Sequence, residues 1–258
     1  HTICNTNAKW DIQLPPGIDS HTIKLLKHIG EVARRIGHDP IDVKISTEDY
    51  KKYWNKRKEK TSSSFSTLHF GHWKAAASNN TLSTIHAKMT EISFRTGSPL
   101  NRWTSGLPVM LEKIPGNISH DKLRAILLME ADFNFGNALL FGKRTVDAAV
   151  KHGVMSKEIF SRKDHCSIDT SMCRLMFFDL VRQTRYNAAL GSYDASQCYD
   201  RVVHSFTSLT THSIGTPKEL ITTMLLAIQK MKFHLRTGFG DSDSSYSSTN
   251  IAEPYQGL

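Results

Sequence analysis

Gly215-Thr216-Pro217-Lys218-Glu219 is the punctuation that most restricts the architecture open to this chain. Before it, Val202, Val203, Phe206 and Leu209 recur at helical spacing between Arg201 and Ile214; after it, Ile221, Met224, Leu225 and Ile228 do the same as far as about Lys230. Glycine closes the first helix. Thr216 as N-cap, Pro217 at the first helical position and Glu219 completing a capping box open the second. Phe233 to Thr237 then alternates like a strand, and Gly238-Phe239-Gly240 turns the chain. Upstream, Leu107 to Lys113 suits a strand, Pro115-Gly116-Asn117 a hairpin turn, and Leu123-Arg124-Ala125-Ile126 the return strand, so that Lys113 and Arg124 share one hairpin. Helices and hairpins in this order predict an α+β fold, rich in helix, with a small antiparallel sheet.

The remaining periodic segments are helical. Ile23, Leu26, Ile29, Val32 and Ile36 mark an amphipathic helix from Ser20 that Gly37 ends. Lys51 to Lys60 reads as a solvated helix carrying a packed Trp54, with nucleic-acid contact as the other reading of its charges, and Thr61 to Ser64 as a linker. Leu68 to Lys74 leads into a helix with an Ala-rich start, on which Ile85, Met89 and Ile92 are expected to pack. Val146 to Ile159 and Thr170 to Tyr186 form further helices, and Met172, Leu175, Met176, Phe178 and Leu180 on the second are expected in the core. Asp241 to Asn250 lacks the glycine and closing glutamate of a calcium loop and reads as a hairpin tip.

The 258 residues suffice for a sizeable core in one large domain or two. Lys and Arg number 33 against 24 Asp and Glu, a formal charge of +9 that favours a polyanionic partner bound mainly through phosphates, with steep salt dependence. The 4 cysteines, Cys4, Cys166, Cys173 and Cys198, form no Cys-x2-Cys pair, so neither a zinc knuckle nor a disulfide framework is indicated, and reduced thiols suit an intracellular protein. No apolar run approaches the roughly 20 residues that span a bilayer, and a soluble protein is expected.

Chemistry concentrates in Asp194-Ala-Ser-Gln-Cys-Tyr199-Asp200, where a carboxylate ends a short apolar run and is followed by an aromatic ring and a second carboxylate. Transfer of a nucleotidyl group needs divalent metal held rigidly where the triphosphate arrives. Asp194 supplies a hard oxygen ligand for Mg²⁺ (or Mn²⁺), and the backbone carbonyl of Ala195 a second contact. Tyr199 would lie beneath the incoming sugar and collide with a 2′-hydroxyl, favouring deoxynucleotides. Asp200 either orients Arg201 or caps the helix that follows.

The order of hairpin with Lys113 and Arg124-Ala-Ile, Tyr193-Asp-Ala-Ser-Gln-Cys-Tyr-Asp-Arg-Val202, helix, Ile214-Gly-Thr-Pro217, helix and strand resembles the reverse transcriptase domain of non-long-terminal-repeat retrotransposons, over roughly Leu68 to Leu258. That family has an Arg-Pro-Ile-Ser segment in its finger hairpin; here Ala125 replaces the proline. The resemblance implies right-hand polymerase fingers and a partial palm. It divides the chain into an N-terminal helical extension (1–60), a fingers-like region (61–190) and the start of a palm (191–258), truncated before the second catalytic aspartate motif. It implies Asp194 as first catalytic aspartate and metal ligand, Tyr199 as sugar gate, and Lys113 and Arg124 as binders of the triphosphate, with Arg's planar fork suited to phosphate oxygens. The partners implied are an RNA template, a DNA primer and deoxynucleoside triphosphates. No Asp-Asp pair occurs in the sequence, which runs to Glu253-Pro-Tyr-Gln-Gly-Leu258 in the position of the family's Gln-Gly loop. The expectation is therefore a fragment of an RNA-directed DNA polymerase, inactive alone. The alternatives are a non-catalytic nucleic-acid-binding remnant of a retroelement and an RNA-dependent RNA polymerase, the latter opposed by Tyr199.

Overall fold

Aromatic side chains decide where the core sits. A computed structural model describes residues 16–37, 39–59, 64–119, 122–156, 166–193, 202–237 and 240–247. In it Tyr50, Trp54, Trp73, Phe94, Trp103, Phe133 and Phe135 are buried together with Leu139, Leu140 and Leu220. They come from α2 (Thr47–Asn55), α3 (Phe70–Ala77), α4 (Asn80–Thr96), a 3₁₀ turn (Asn101–Thr104), α5 (Ala131–Leu139), which continues through a π-helical stretch (Leu140–Thr145) into α6 (Val146–Lys151), and α9 (Lys218–Gln229). Trp54 stacks on Trp73 at 5.7 Å and meets Tyr53 edge-on at 4.9 Å, geometries that add to simple burial. A smaller cluster of Val32, Ile36, Ala149 and Ile214 joins α1 (Ser20–Ile36) to α6 and to the end of α8 (His204–Ser213).

Local signals set several boundaries. Asp19 caps α1 by accepting from His21 N at 2.9 Å and Thr22 N at 3.0 Å, and Gly37 ends it at φ 66°. Ser46 and Asp49 close a capping box on α2, whose Trp54 is fully buried. Gly136 sits where α5 crosses α4: a Cβ there would lie 2.1 Å from Phe94 Cε2, and Phe94 is itself buried. Gly136→Ala gains helix propensity of at most about 1 kcal/mol but forces an overpacked core that costs roughly 1–3 kcal/mol or more, so a net loss of stability is expected in urea titration. Unchanged or raised stability would contradict this close approach.

Several expectations are corrected by the packing. On α4, Ile85, Met89 and Ile92 face outward, 48%, 42% and 57% exposed, while Ser83, Ala87, Thr90, Glu91, Ser93 and Phe94 are buried. Small and hydroxylated side chains let neighbouring helices approach: Thr223 on α9 donates to Ser93 O at 2.8 Å, and buried Glu91 accepts from Ile45 N at 2.8 Å while Lys88 and Arg95 neutralise it. On α7 (Ser167–Thr184) no residue is buried, and Met172, Leu175, Met176, Phe178 and Leu180 lie on the surface rather than in the core. At the start of α9, Thr216 is not the cap. It is buried with its hydroxyl 3.2 Å from that of Thr145, Pro217 occupies the capping position without a side-chain bond, and Glu219 is exposed. The inward face of α9 is Leu220, Ile221, Thr223 and Ala227, with Met224, Leu225 and Ile228 half-buried. Val202 and Val203 precede α8 instead of belonging to it.

The sheet is mixed, not antiparallel throughout. β1 (Ser105–Glu112) pairs antiparallel with β2 (Leu123–Leu128), in the hairpin its turn residues predict. Its other edge runs parallel to β3 (Lys232–Phe233) and β4 (Arg236–Thr237) in one continuous register: Ser105 faces Lys232, Gly106 faces Phe233 and Val109 faces Arg236. β3 and β4 are two pieces of the predicted Phe233–Thr237 strand. The chain returns as β5 (Gly240–Asp241) and β6 (Tyr246–Ser247), antiparallel to β4 and β3. A parallel neighbour for β1 requires a long crossover, which α5 to α9 supply. The fold is thus α+β and rich in helix, and no described helix is long and apolar enough to cross a membrane.

Candidate nucleotide-contacting hairpin

Beyond Val109 the β1–β2 hairpin leaves the body of the molecule. Gly106, Leu107 and Pro108 are buried at its base, whereas Met110, Leu111, Glu112, Lys113 and, on the return, Arg124, Ala125, Ile126 and Leu127 are exposed. β4 touches β1 only as far as Val109, so among the described residues the outer half is a two-stranded ribbon.

Register determines which side chains share a face. Leu111 opposes Arg124, and the bond from Lys113 N to Lys122 O at 2.9 Å extends the ladder by two residues, pairing Lys113 with Lys122. Side chains alternate along a strand, so Lys113, Lys122 and Arg124 fall on one side of the pleat, with diagonal neighbours roughly 7–8 Å apart. The same side carries Arg236, opposite Val109, which is bound in a two-point ion pair by Asp241: Nε to Oδ1 at 2.6 Å and Nη2 to Oδ2 at 2.8 Å. This partner raises the Arg236 pKa and lowers that of Asp241, so the pair is charged and internally neutralised. Arg124 makes no side-chain hydrogen bond or ion pair among the described residues. Nearer the base, His234 stacks on Phe65 at 4.1 Å and closes this side of the sheet.

Of the residues singled out in the sequence, the structure therefore brings Lys113 and Arg124 together and adds Lys122. Asp194, Ala195, Tyr199 and Asp200 lie outside the described residues. Among the described residues no three His, Cys, Asp or Glu side chains gather in a metal-holding group, and Cys166 and Cys173 are free thiols.

The feature missed by sequence reasoning is a buried charge cluster at the foot of the hairpin. Asp132, 2% exposed, accepts from Trp103 Nε1 at 2.9 Å and pairs with the Arg102 guanidinium. Glu130, 1% exposed, accepts from Ser64 Oγ at 2.7 Å and Ser66 Oγ at 2.8 Å, and its Oε2 lies 4.0 Å from Arg102 Nε. Ser64, expected in a linker, is buried in this cluster; 61–63 lie outside the described residues. Burial pushes the Asp132 carboxyl above its ordinary value, against the opposing pull of Arg102 and the Trp103 hydrogen bond. The available signal was two acids, Glu130 and Asp132, embedded in an apolar run: Leu128, Met129, Ala131, Phe133 and Phe135 surround them in sequence, and acids so placed need a partner if the run is buried.

No family model matches the sequence, and no curated protein matches it.

Proposed function

We propose that this chain is the fingers and the beginning of the palm of an RNA-directed DNA polymerase of the non-long-terminal-repeat retrotransposon type, with the three-part division at 60/61 and 190/191 described above. The observation that carries the reading is the hairpin. A segment singled out by its sequence as a triphosphate-binding finger is a projecting ribbon with Lys113 and Arg124 on one face, joined there by Lys122. Such a face binds polyphosphate through charge-assisted hydrogen bonds, and Arg124 contributes the two-point geometry that lysine lacks.

In this reading Asp194 and the Ala195 carbonyl hold Mg²⁺ or Mn²⁺, a hard-oxygen donor set suited to either ion. The metal, when bound, would supply charge stabilisation for nucleotidyl transfer. Arg124, Lys113 and Lys122 orient and neutralise the triphosphate, and the Tyr199 ring excludes the 2′-hydroxyl. The formal charge of +9 suits a template–primer held by its backbone. Two-metal transfer also calls for a second carboxylate site, and the sequence has no Asp-Asp pair to supply it.

The test is RNA-templated primer extension in Mg²⁺ by the protein encoded by the whole reading frame that contains this chain. Deoxynucleotide incorporation is expected, and Tyr199→Ala is expected to lower the deoxy-to-ribo preference by about tenfold or more, the scale on which a pocket discriminates by one small group. An unchanged preference removes the gate. Absence of extension, with salt-dependent binding of the template–primer retained, favours the non-catalytic remnant. Equal use of ribonucleotides by the unaltered protein favours an RNA polymerase.

A further inference from the structure

The buried cluster at the foot of the hairpin ties its two ends together. Arg102 and Trp103 lie in the 3₁₀ turn that runs directly into β1 at Ser105; Glu130 and Asp132 lie just past the end of β2 at Leu128, and Asp132 is in the first turn of α5. The Trp103 indole N–H and the Arg102 guanidinium both reach Asp132 across the gap between the strand ends, and the same guanidinium approaches Glu130. Glu130 in turn is fixed by two serine hydroxyls and by Ser66 N at 3.2 Å. Trp103 is itself fully buried against Phe94 and Phe133, at 5.5 Å and 5.2 Å between ring centroids. The root of the ribbon is thus welded to the aromatic core by polar contacts specific in direction.

Among the described residues the outer ribbon has no comparable buried cluster. Past Val109 the only strand beside β1 among the described residues is β2, and an isolated pair of strands is marginal by itself. Its aim is consequently decided where it enters the body, and a small rotation at the root is magnified at Lys113 and Arg124. We infer that Arg102, Trp103, Glu130 and Asp132 form a positioning clamp that fixes the angle of the hairpin, so that the cationic face meets a nucleoside triphosphate in one orientation. The mechanical part of this inference stands on the geometry alone; its consequence for triphosphate binding rests on the function proposed above.

The experiment separates the two. Nitroxide labels are placed on Ile118→Cys near the hairpin tip and Ile85→Cys on α4, both side chains being exposed, in a chain whose Cys4, Cys166, Cys173 and Cys198 are replaced by serine. The label-to-label distance is measured by pulsed electron paramagnetic resonance, and affinity for a fluorescent deoxynucleoside triphosphate in Mg²⁺ is measured on the same chains. Asp132→Asn keeps an acceptor for Trp103 but removes the charge that holds Arg102; the expected result is a broadened or shifted distance distribution in a folded protein and a loss of affinity of about tenfold or more, since displacements of about 1 Å at a positioned group have effects up to a hundredfold. Trp103→Phe removes only the indole donor and carries the test if Asp132→Asn does not fold. Arg124→Ala should weaken the triphosphate with the distance unchanged. A folded Asp132→Asn or Trp103→Phe chain with the native distance distribution overturns the clamp, whatever its melting temperature, because a purely stabilising role would leave the distance alone. If the distance broadens while Arg124→Ala binds triphosphate normally, the clamp stands and the proposed phosphate role of the hairpin fails.

Discussion

Arg102→Ala is expected to lower the stability of the folded chain by about 3–5 kcal/mol at neutral pH, the scale seen when one partner of a buried ion pair is removed. Asp132 and Glu130 are nearly inaccessible, and without the guanidinium they are two neighbouring carboxylates whose described donors, the Trp103 indole, two serine hydroxyls and the backbone N–H groups of Ser66 and Phe133, are all uncharged. The effect has a pH signature. Arg102 opposes the upward shift that burial imposes on Asp132, so its loss raises the folded-state pKa of Asp132 further above the unfolded value of 3.8. The native variant then binds more protons than the unfolded chain, and stability falls as pH rises from about that value through the raised folded one. Urea titrations of the two proteins should therefore differ least near pH 4 and most at pH 7 and above. Arg102→Ala combined with Asp132→Ala should recover part of the loss, since it removes the stranded charge. A difference that is small at pH 7, or that does not shrink on acidification, would show that water reaches the cluster and that Asp132 needs no cation.

Why this cluster escaped the sequence, while the hairpin above it did not, is a matter of range. Pro115-Gly116-Asn117 and the flanking apolar runs are local instructions, and β1 and β2 follow them; so do Asp19 and Gly37 at the ends of α1. The ion pair of Arg102 with Asp132 joins residues 30 apart and exists only because the hairpin brings its own ends together. The outward turn of Ile85, Met89 and Ile92 has a similar origin. Apolar spacing marks a stripe on a helix, but the face that packs was chosen by Phe94, by small residues that admit α9 and by Glu91 receiving Ile45 N–H from 46 residues away. Thr216 likewise has the chemistry of a cap, yet its hydroxyl meets Thr145, which is distant in sequence. For the site, the register that sets Lys113, Lys122 and Arg124 on one face pairs Lys113 with Lys122, whereas a turn confined to Pro115-Gly116-Asn117 would pair it with Ser119, so the place of Lys122 opposite Lys113 was not legible from the turn residues. The parallel pairing of β1 with β3 and β4 has no local signal, since it depends on everything that the crossover from α5 to α9 packs against.

If the proposed function holds, Asp194→Asn in the protein encoded by the whole reading frame is expected to reduce RNA-templated extension by at least about a thousandfold, the loss that follows removal of several kcal/mol of transition-state charge stabilisation. The substitution keeps size and one oxygen but removes the negative charge that a hard divalent cation requires. Binding should respond differently. In the proposed function template–primer affinity would come from phosphate contacts of a chain of formal charge +9, so Asp194→Asn should leave its salt dependence close to that of the unaltered chain. Arg124→Ala provides the contrast: with Arg124 as the proposed triphosphate ligand, the substitution should raise the deoxynucleotide KM while Asp194→Asn acts chiefly on the rate, because the first interaction would be made with the bound nucleotide and the second would strengthen as charge develops. The two variants thus assign separate tasks to the hairpin and to the Asp194 segment. Extension that persists in Asp194→Asn would mean that the carboxylate at 194 is not the metal ligand, and the reverse transcriptase reading would have to find another; extension lost in both variants with KM unchanged in Arg124→Ala would leave the Asp194 segment in place and move the triphosphate away from the cationic hairpin.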